Sequence, residues 1–342
     1  MSSRLRIEPY NRTVEVRSEQ SLLDAALAAG LNLPHSCKSG HCASCRAKLL
    51  SGKIDYPQGR PLGISAAEAA SGQVLLCQAR AATAEVTVEA RTIARAGEAE
   101  IRDLPCRIEK RVLLAPDVLQ VFLRLPATEQ VAFRAGQYLD ILLDDGGRRS
   151  FSLACPPHDA SLLEIHVRLV TGGRFTQRLF DQLRDGALLR IELPMGQFAY
   201  QHNARPLLLV AGGTGFAPIK SILRQIFEIG PVRSTHLFWG ARRQVDLYEE
   251  AWVRALLRKH QALQFTAVLS AEAAVLSADW QSGWVHDEVL RQYPDLSGYE
   301  VYAAGPPQMI EAIRASFAVV GLEPERLYFD SFDYAQKTIP AV

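Results

Sequence analysis

Three cysteines crowded into one short stretch constrain this chain more than any other feature. Cys37, Cys42 and Cys45 stand at C-x4-C-x2-C spacing, and Cys77 follows after 31 intervening residues. Thiolates at that spacing hold a [2Fe–2S] cluster, with three wrapping one side and a distant fourth closing it. The loop has to bend sharply and turn backbone N–H groups toward the sulfides, which Gly40 and the small Ala43 and Ser44 permit. A structural zinc site with four cysteine ligands is the competing reading. Zinc ribbons and fingers pair their ligands in two short C-x2–4-C units, whereas the fourth cysteine here stands alone. A disulfide framework fits less well, because nothing else in the chain has the character of a secreted protein.

The remaining cysteines, Cys106 and Cys155, lack partner spacing and are expected to be packing thiols. A chain of 342 residues exceeds one hydrophobic core, so two or three domains are expected. The net charge of +1 argues neither for nucleic acid nor for an anionic membrane surface, and neither is expected as a partner. The start, Met1-Ser-Ser-Arg-Leu-Arg, has no apolar segment of the signal-peptide kind, and the longest apolar run, Leu207 to Ala211, is strand-sized. The expected location is the cytoplasm, and the expected assembly a monomer or weak dimer.

Residues 1 to 95 read as a first unit. Leu5 and Ile7, then Val14 and Val16, alternate with polar residues and suggest paired strands around Asn11-Arg12. Ser21 to Asp24 opens a helix in the manner of a capping box, and Gly30 ends it. The cysteine loop follows, then strands at 46–50, 74–77 and 86–88 and a short helix at 66–70. This α+β arrangement, with its cysteine spacing, resembles the β-grasp ferredoxins of plant type. Thr92 to Asp103 reads as a linker.

From about 101 to 204 the pattern is one of short strands, expected at 118–125, 138–143, 150–154, 163–169 and 188–193, with one helix at 174–183. Such spacing suggests an antiparallel barrel. On an extended strand Arg149 and Phe151 share one face, Ser150 and Ser152 the other. Thr171-Gly-Gly-Arg-Phe-Thr176 leads a turn into the helix, where free N–H groups and the helix dipole favour a diphosphate. Together these stretches resemble the FAD-binding barrel of the ferredoxin–NADP reductase superfamily. The resemblance implies FAD-binding roles for Arg149, Ser150, Phe151 and Ser152, for His166, Val167 and Arg168, and for Gly173, Arg174, Phe175 and Thr176. Within these, Arg149 is expected to take the pyrophosphate, Phe151 to lie along the isoalloxazine, and Ser152 to bond near flavin N5 as a catalytic residue. Pro194-Met-Gly196-Gln-Phe198 resembles the turn that closes the same domain.

From 205 to 342 strands and helices alternate, with strands expected at 207–211, 235–239, 264–269, 301–304 and 326–329. That is the pattern of a doubly wound parallel sheet with its ligand site beyond the strand carboxyl ends. Gly212-Gly-Thr-Gly-Phe-Ala-Pro218 is not a P-loop, since the G-K-[S/T] ending is missing, and Pro218 replaces the third glycine of G-x-G-x-x-G. It resembles the nucleotide turn of the same reductase superfamily, implying cofactor roles for Gly213, Thr214 and Gly215. Ala304-Gly305-Pro306-Pro307 resembles the turn beside the nicotinamide, with Ala304 where that superfamily commonly has cysteine. Arg242 and Arg243 follow the second strand and are further nucleotide-binding candidates; NADH is favoured slightly over NADPH by the resemblance. The terminal segment implies Phe332 as an aromatic cover on the flavin and Asp330 as an acid beside it, both assigned to catalysis.

The fold class expected is therefore multidomain, α+β and α/β: a β-grasp ferredoxin, a flavin-binding barrel and a nicotinamide domain. The whole chain resembles the iron–sulfur flavoprotein reductases that serve oxygenases or deoxysugar dehydratases. A nicotinamide gives two electrons as a hydride and a [2Fe–2S] cluster takes one, so a flavin has to stand between them. The expected activity is transfer from NAD(P)H through FAD and the cluster to a partner protein. Two other readings remain open at this stage: a stand-alone flavin or ferric reductase, and a non-enzymatic redox-sensing or zinc-stabilised module.

Overall fold

The computed structural model describes residues 3–31, 33–35, 38, 40, 45–61, 63–90, 101–230, 232–271 and 280–332. It divides into two compact units, one formed by Met1–Ile101 with Met195–Gln197, the other by Arg102–Pro194 with Phe198–Val342.

The first unit contains β1 (Ser3–Glu8), β2 (Arg12–Val16), α1 (Leu22–Ala28), β3 (Arg46–Ser51), β4 (Ile54–Asp55), α2 (Ala66–Ala70), β5 (Gln73–Leu75), β6 (Arg80–Ala81) and β7 (Glu85–Glu89). Its main sheet runs β2-β1-β7-β3-β5, with β4 and β6 forming a separate small ladder. The β1–β2 hairpin turns through Asn11 at φ 51°, a left-handed conformation that asparagine tolerates. Alternation sends Leu5, Ile7, Val14, Val16, Val86 and Val88 inward, and Leu22 and Leu23 of the helix are buried as well. Ser21 caps α1 by accepting from the Asp24 N–H, and Ser65 with Glu68 forms a complete capping box on α2.

The second unit begins with an antiparallel barrel of β8 (Arg102–Ala115), β9 (Val118–Arg124), β10 (Tyr138–Leu142), β11 (Arg148–Ser152), β12 (Leu163–Arg168) and β13 (Leu188–Met195), with α3 (Arg174–Asp181) between the last two. The order is β11-β10-β13-β8-β9-β12, and a bridge between Leu153 and Ile165 joins the two outer members. The strand β8 is absent from the sequence reading, and Arg102 and Asp103, assigned there to a linker, open it. Its buried side chains Leu104, Cys106 and Ile108 do alternate, but Pro105 and the charged run from Arg107 to Arg111 mask the period.

A parallel sheet completes the unit: β14 (Leu207–Gly212), α4 (Phe216–Glu228), β15 (Thr235–Ala241), α5 (Glu250–Leu257), β16 (Leu263–Leu269), β17 (Trp280–Ser282), α6 (Val285–Gln292), β18 (Glu300–Gly305), α7 (Pro307–Phe317) and β19 (Leu327–Ser331). Its order is β17-β16-β15-β14-β18-β19. The whole of β14 is buried, because Leu207, Leu209 and Ala211 pack on one face and Leu208 and Val210 on the other. The chain steps one way from β14 to β15 and returns on the other side at β18. The switch point, where such sheets bind ligands, therefore lies at the carboxyl ends of β14 and β18.

Candidate functional site

In the first unit, the antiparallel pairing of β3 with β5 matches Arg46 to Leu75, and Leu76 donates to the Cys45 carbonyl at 3.2 Å. That register carries Cys45 opposite Leu76, the residue before Cys77, and both thiols are buried and neither is disulfide-bonded. Cys37 and Cys42, with Ala43 and Ser44, lie outside the described residues. The described part of the loop is tightly held: Gly40 has φ +83°, and a Cβ there would stand 2.8 Å from Pro61. The Gln78 side-chain amide donates to the Lys38 carbonyl at 2.8 Å, and Gly63 N–H to the Gly40 carbonyl at 2.8 Å. A pair of buried thiols beside a glycine loop fits a thiolate-held cluster. Cys106 and Cys155 differ from them: burial pushes both thiols up to about 12, as inert packing groups require.

In the barrel, β11 pairs with β10 so that Phe151 faces Leu139 and Ser152 faces Tyr138. Phe151 leans on Phe175 of α3 with ring centroids 5.8 Å apart, so the Arg149–Ser152 strand and the turn after Thr171 are brought together. Ser150 donates to the buried Asp140. No side chain caps α3, whose N-cap is Gly173. Thr176 instead ties the turn from within, donating to the Gly173 carbonyl at 3.1 Å and accepting from Val170 N–H at 3.2 Å. A Cβ on Gly173 would meet the Thr176 hydroxyl at 2.7 Å. Such a helix start fits a phosphate. Arg174 is exposed beside it.

Strand β12 turns its side chains alternately inward and outward over His166 to Arg168. Val167 lies in the barrel core with Leu163 and Ile165. The His166 and Arg168 side chains lie on the outer face: His166 Nδ1 stands 3.0 Å from the Tyr248 hydroxyl of the nucleotide domain, and Arg168 donates to Asp117 of the barrel at 2.9 Å while standing 3.6 Å from Asp246 of the nucleotide domain. Glu164, on the same outer face, is opposed by burial, yet the His166 hydrogen bond and the Lys220 charge hold its carboxyl well below the usual range.

At the switch point, the Gly212–Gly215 turn and the Ala304-Gly305-Pro306 turn press backbone against backbone. A Cβ on Gly215 would lie 2.0 Å from the Ala304 carbonyl oxygen, one on Gly212 2.7 Å from Met309 Sδ, and one on Gly305 2.6 Å from Met309 Cε. Gly213 takes φ +54° with open space around its missing side chain, leaving its surroundings accessible to a ligand. The indole N–H of Trp239 donates to the Gly213 carbonyl at 3.0 Å and its ring stacks on Phe216 at 3.9 Å, fixing both ends of the turn. These are the features a dinucleotide turn needs: close backbone approach and an uncapped helix start, here α4. Pro307 opens α7, and Pro306 is its N-cap.

Strand β19 carries the terminal candidates to the same place. Asp330 pairs with Ala304 in register and is buried, and Phe332 donates its N–H to the Gly305 carbonyl at 3.0 Å. Phe332 is partly buried against the core of the sheet. Arg242 and Arg243 are exposed beyond the end of β15. Trp284, which the sequence reading passed over, stands 63% exposed beyond the end of β17, along the same row of strand ends. A lone tryptophan after Gly283 carries no periodic signal, and only its position in the sheet marks it.

Matches to known families follow the same division. Residues 5–82 match a 2Fe-2S iron-sulfur cluster binding domain, residues 105–200 an oxidoreductase FAD-binding domain, and residues 209–315 an oxidoreductase NAD-binding domain. The chain is 36% identical over 314 residues to terephthalate 1,2-dioxygenase, reductase component 1, of Comamonas sp, covering 92% of each chain. It is 32% identical over 332 residues to the CDP-6-deoxy-L-threo-D-glycero-4-hexulose-3-dehydrase reductase of Yersinia pestis, covering 97% of this chain and 99% of that one. Among solved structures, the Amycolatopsis cytochrome P450 reductase GcoB superimposes with a TM-score of 0.81 at 32% identity, covering 98% of this chain and 100% of that one. The chain belongs to the family of iron–sulfur flavoprotein reductases, oxidoreductases that join a [2Fe–2S] ferredoxin domain to FAD- and NAD-binding domains. No described helix is long and apolar enough to cross a membrane.

Proposed function

We propose that this chain is the reductase component of a two-protein system, delivering electrons from NADH to an oxygenase or to a deoxysugar dehydratase. The observation that carries the reading is the meeting of the glycine turn, the Gly305 turn and the Phe332 backbone at one switch point. It gathers a nucleotide site and an aromatic cover where hydride has to leave. The divisions of the chain are set at 1–95, 101–204 and 205–342, and the protein acts in the cytoplasm as a monomer or weak dimer.

A bound flavin supplies the exchange between a two-electron hydride donor and a one-electron carrier. The chain's own groups bind and orient. Arg149, with the first-turn N–H groups of α3 from Arg174 to Thr176, takes the FAD diphosphate, Ser150 steadies the strand through Asp140, and Ser152 serves the ring near N5. Main-chain groups of His166, Val167 and Arg168 border the same site. Gly213, Thr214 and Gly215 receive the nucleotide phosphates, with Pro306 and Pro307 beside the nicotinamide. Arg242 and Arg243 lie at the adenosine end, where the exposed ring of Trp284 suits a purine face. Phe332 would cover the flavin and swing aside for nicotinamide, with the acid Asp330 close by. Cys37, Cys42, Cys45 and Cys77 hold the cluster.

Anaerobic titration tests the relay. Excess NADH should bleach both flavin and cluster absorption, three electrons per chain in all, while Cys77→Ser should bleach flavin alone, with two. Stoichiometric zinc in place of two iron and two sulfide would refute it. Arg149→Ala should weaken FAD binding by roughly 1.5–3 kcal/mol. Mixing the reduced protein with an oxygenase component and with a deoxysugar dehydratase identifies the acceptor. A higher kcat/KM with NADPH that collapses in Arg242→Ala or Arg243→Ala would reverse the nucleotide preference.

A further inference from the structure

The outer face of β12 meets the nucleotide domain through charges that no cofactor motif accounts for. Lys220, one turn into α4, is 5% exposed and donates to Glu164 Oε1 at 2.9 Å and to Glu249 Oε1 at 2.6 Å. Glu164 also accepts from His166 Nε2 at 2.8 Å and from Gln120 at 2.7 Å. The ligand atoms of Glu164, His166 and Glu249 lie within 4.8 Å of one another, a spacing that suits a cation, and the Lys220 ammonium is the cation that meets both carboxylates.

We infer that Lys220 is a positioning residue: its bridge from Glu164 to Glu249 holds the helix carrying the glycine turn in register with the flavin barrel, and so sets hydride transfer without setting nucleotide affinity. Three observations support the assignment. The two carboxylates come from different domains, Glu164 from the barrel strand and Glu249 from the loop ahead of α5. The inward side chains of β12, Leu163, Ile165 and Val167, are at most 1% exposed in the barrel core, so the strand is a fixed anchor. A second linkage runs parallel to the first: His166 reaches Tyr248, the Tyr248 ring packs edge-on against Trp239 at 5.3 Å, and Trp239 donates to Gly213. The turn is thus tied to β12 at both ends, through Lys220 behind it and through Trp239 at its start. An apolar contact would let one surface slide on another, whereas an ammonium between two carboxylates has a preferred place.

The inference rests on the reading of the chain as a flavin reductase, and the measurements separate the two. The holoprotein and its Lys220→Met, Lys220→Arg and Glu249→Gln variants are compared by limiting rate of flavin reduction, by the calorimetric Kd for NAD+, and by amide hydrogen exchange in 164–168 and 216–221. Misalignment by about an ångström slows a transfer roughly 10- to 100-fold, and that loss is expected for Lys220→Met at full FAD content. Its Kd should stay within about 2-fold of the parent, because no nucleotide contact is removed. Exchange should quicken in both segments, and Lys220→Arg should recover part of the rate. Glu249→Gln, which leaves the Lys220–Glu164 pair balanced, should show the same pattern more weakly and serves if Lys220→Met does not fold. An unchanged rate overturns the assignment, as does a rate that falls only with FAD content or only with a matching rise in Kd. A parent protein that accepts electrons from neither NADH nor NADPH would instead sink the functional reading.

Discussion

The turn at Gly173 and the turn at Gly212–Gly215 each open a helix on glycine, yet they are tight for different reasons. Around Gly173 the nearest atom is a side-chain hydroxyl, Thr176 Oγ1. Around Gly215 it is the backbone of β18. A hydroxyl can rotate, while a strand held by parallel neighbours on both sides cannot. The first turn is shaped by its own sequence, the second by the sheet against which it lies.

That contrast is broken most directly at Gly215. Gly215→Ala forces the Ala304 carbonyl away from its place between β14 and β19, and should cost at least about 3 kcal/mol. In thermal unfolding this would read as a fall of roughly 6–12 °C, or as failure to accumulate folded protein. Gly173→Ala should cost about 1–2 kcal/mol, since Thr176 can yield while Val170 can only shift slightly. Its clearest readout is weaker FAD retention on dilution, with NAD+ affinity unchanged. If the two substitutions prove equally damaging, the contrast between side-chain and backbone enclosure is wrong. Gly213→Ala meets no atom and carries only the left-handed backbone penalty, about 1 kcal/mol. Thr176→Ser keeps both hydrogen bonds and should change stability by less than about 0.5 kcal/mol, whereas a larger loss would show that the methyl group, not the hydroxyl, holds the turn.

How much of this was legible in the sequence follows the same line. The Gly212–Pro218 run and the Ala304–Pro307 run are local, and each forms a turn where a reader of the chain would put it; of the equally local cysteine set, Cys45 and Cys77 lie among the described residues. The alternation of β1, β2, β7 and β12 is equally local, and the helix start at Ser21 announces itself by its cap. What the sequence hid is whatever depends on pairing at a distance. The charged residues of β8 conceal its buried alternation, and β17 is too short to show a period. The motif around His166 implies a flavin neighbour and says nothing of the direction of its side chain. Only the fold shows that its side chain turns to Tyr248, 82 positions along the chain. The Lys220 bridge unites residues from three elements that no spacing rule connects.

Strand β12 has one more consequence, for anyone who would recombine these reductases. Its inner side chains belong to the barrel, while its outer ones, Glu164, His166 and Arg168, reach the nucleotide domain as well as barrel neighbours. A chimera joined at the obvious seam, between 204 and 205, would inherit half of a contract. The grafted nucleotide domain would arrive expecting partners for its own lysine and tyrosine, and find whatever the host strand happens to present. Alternate positions of a single strand, not the whole barrel, are what such a graft has to carry with it.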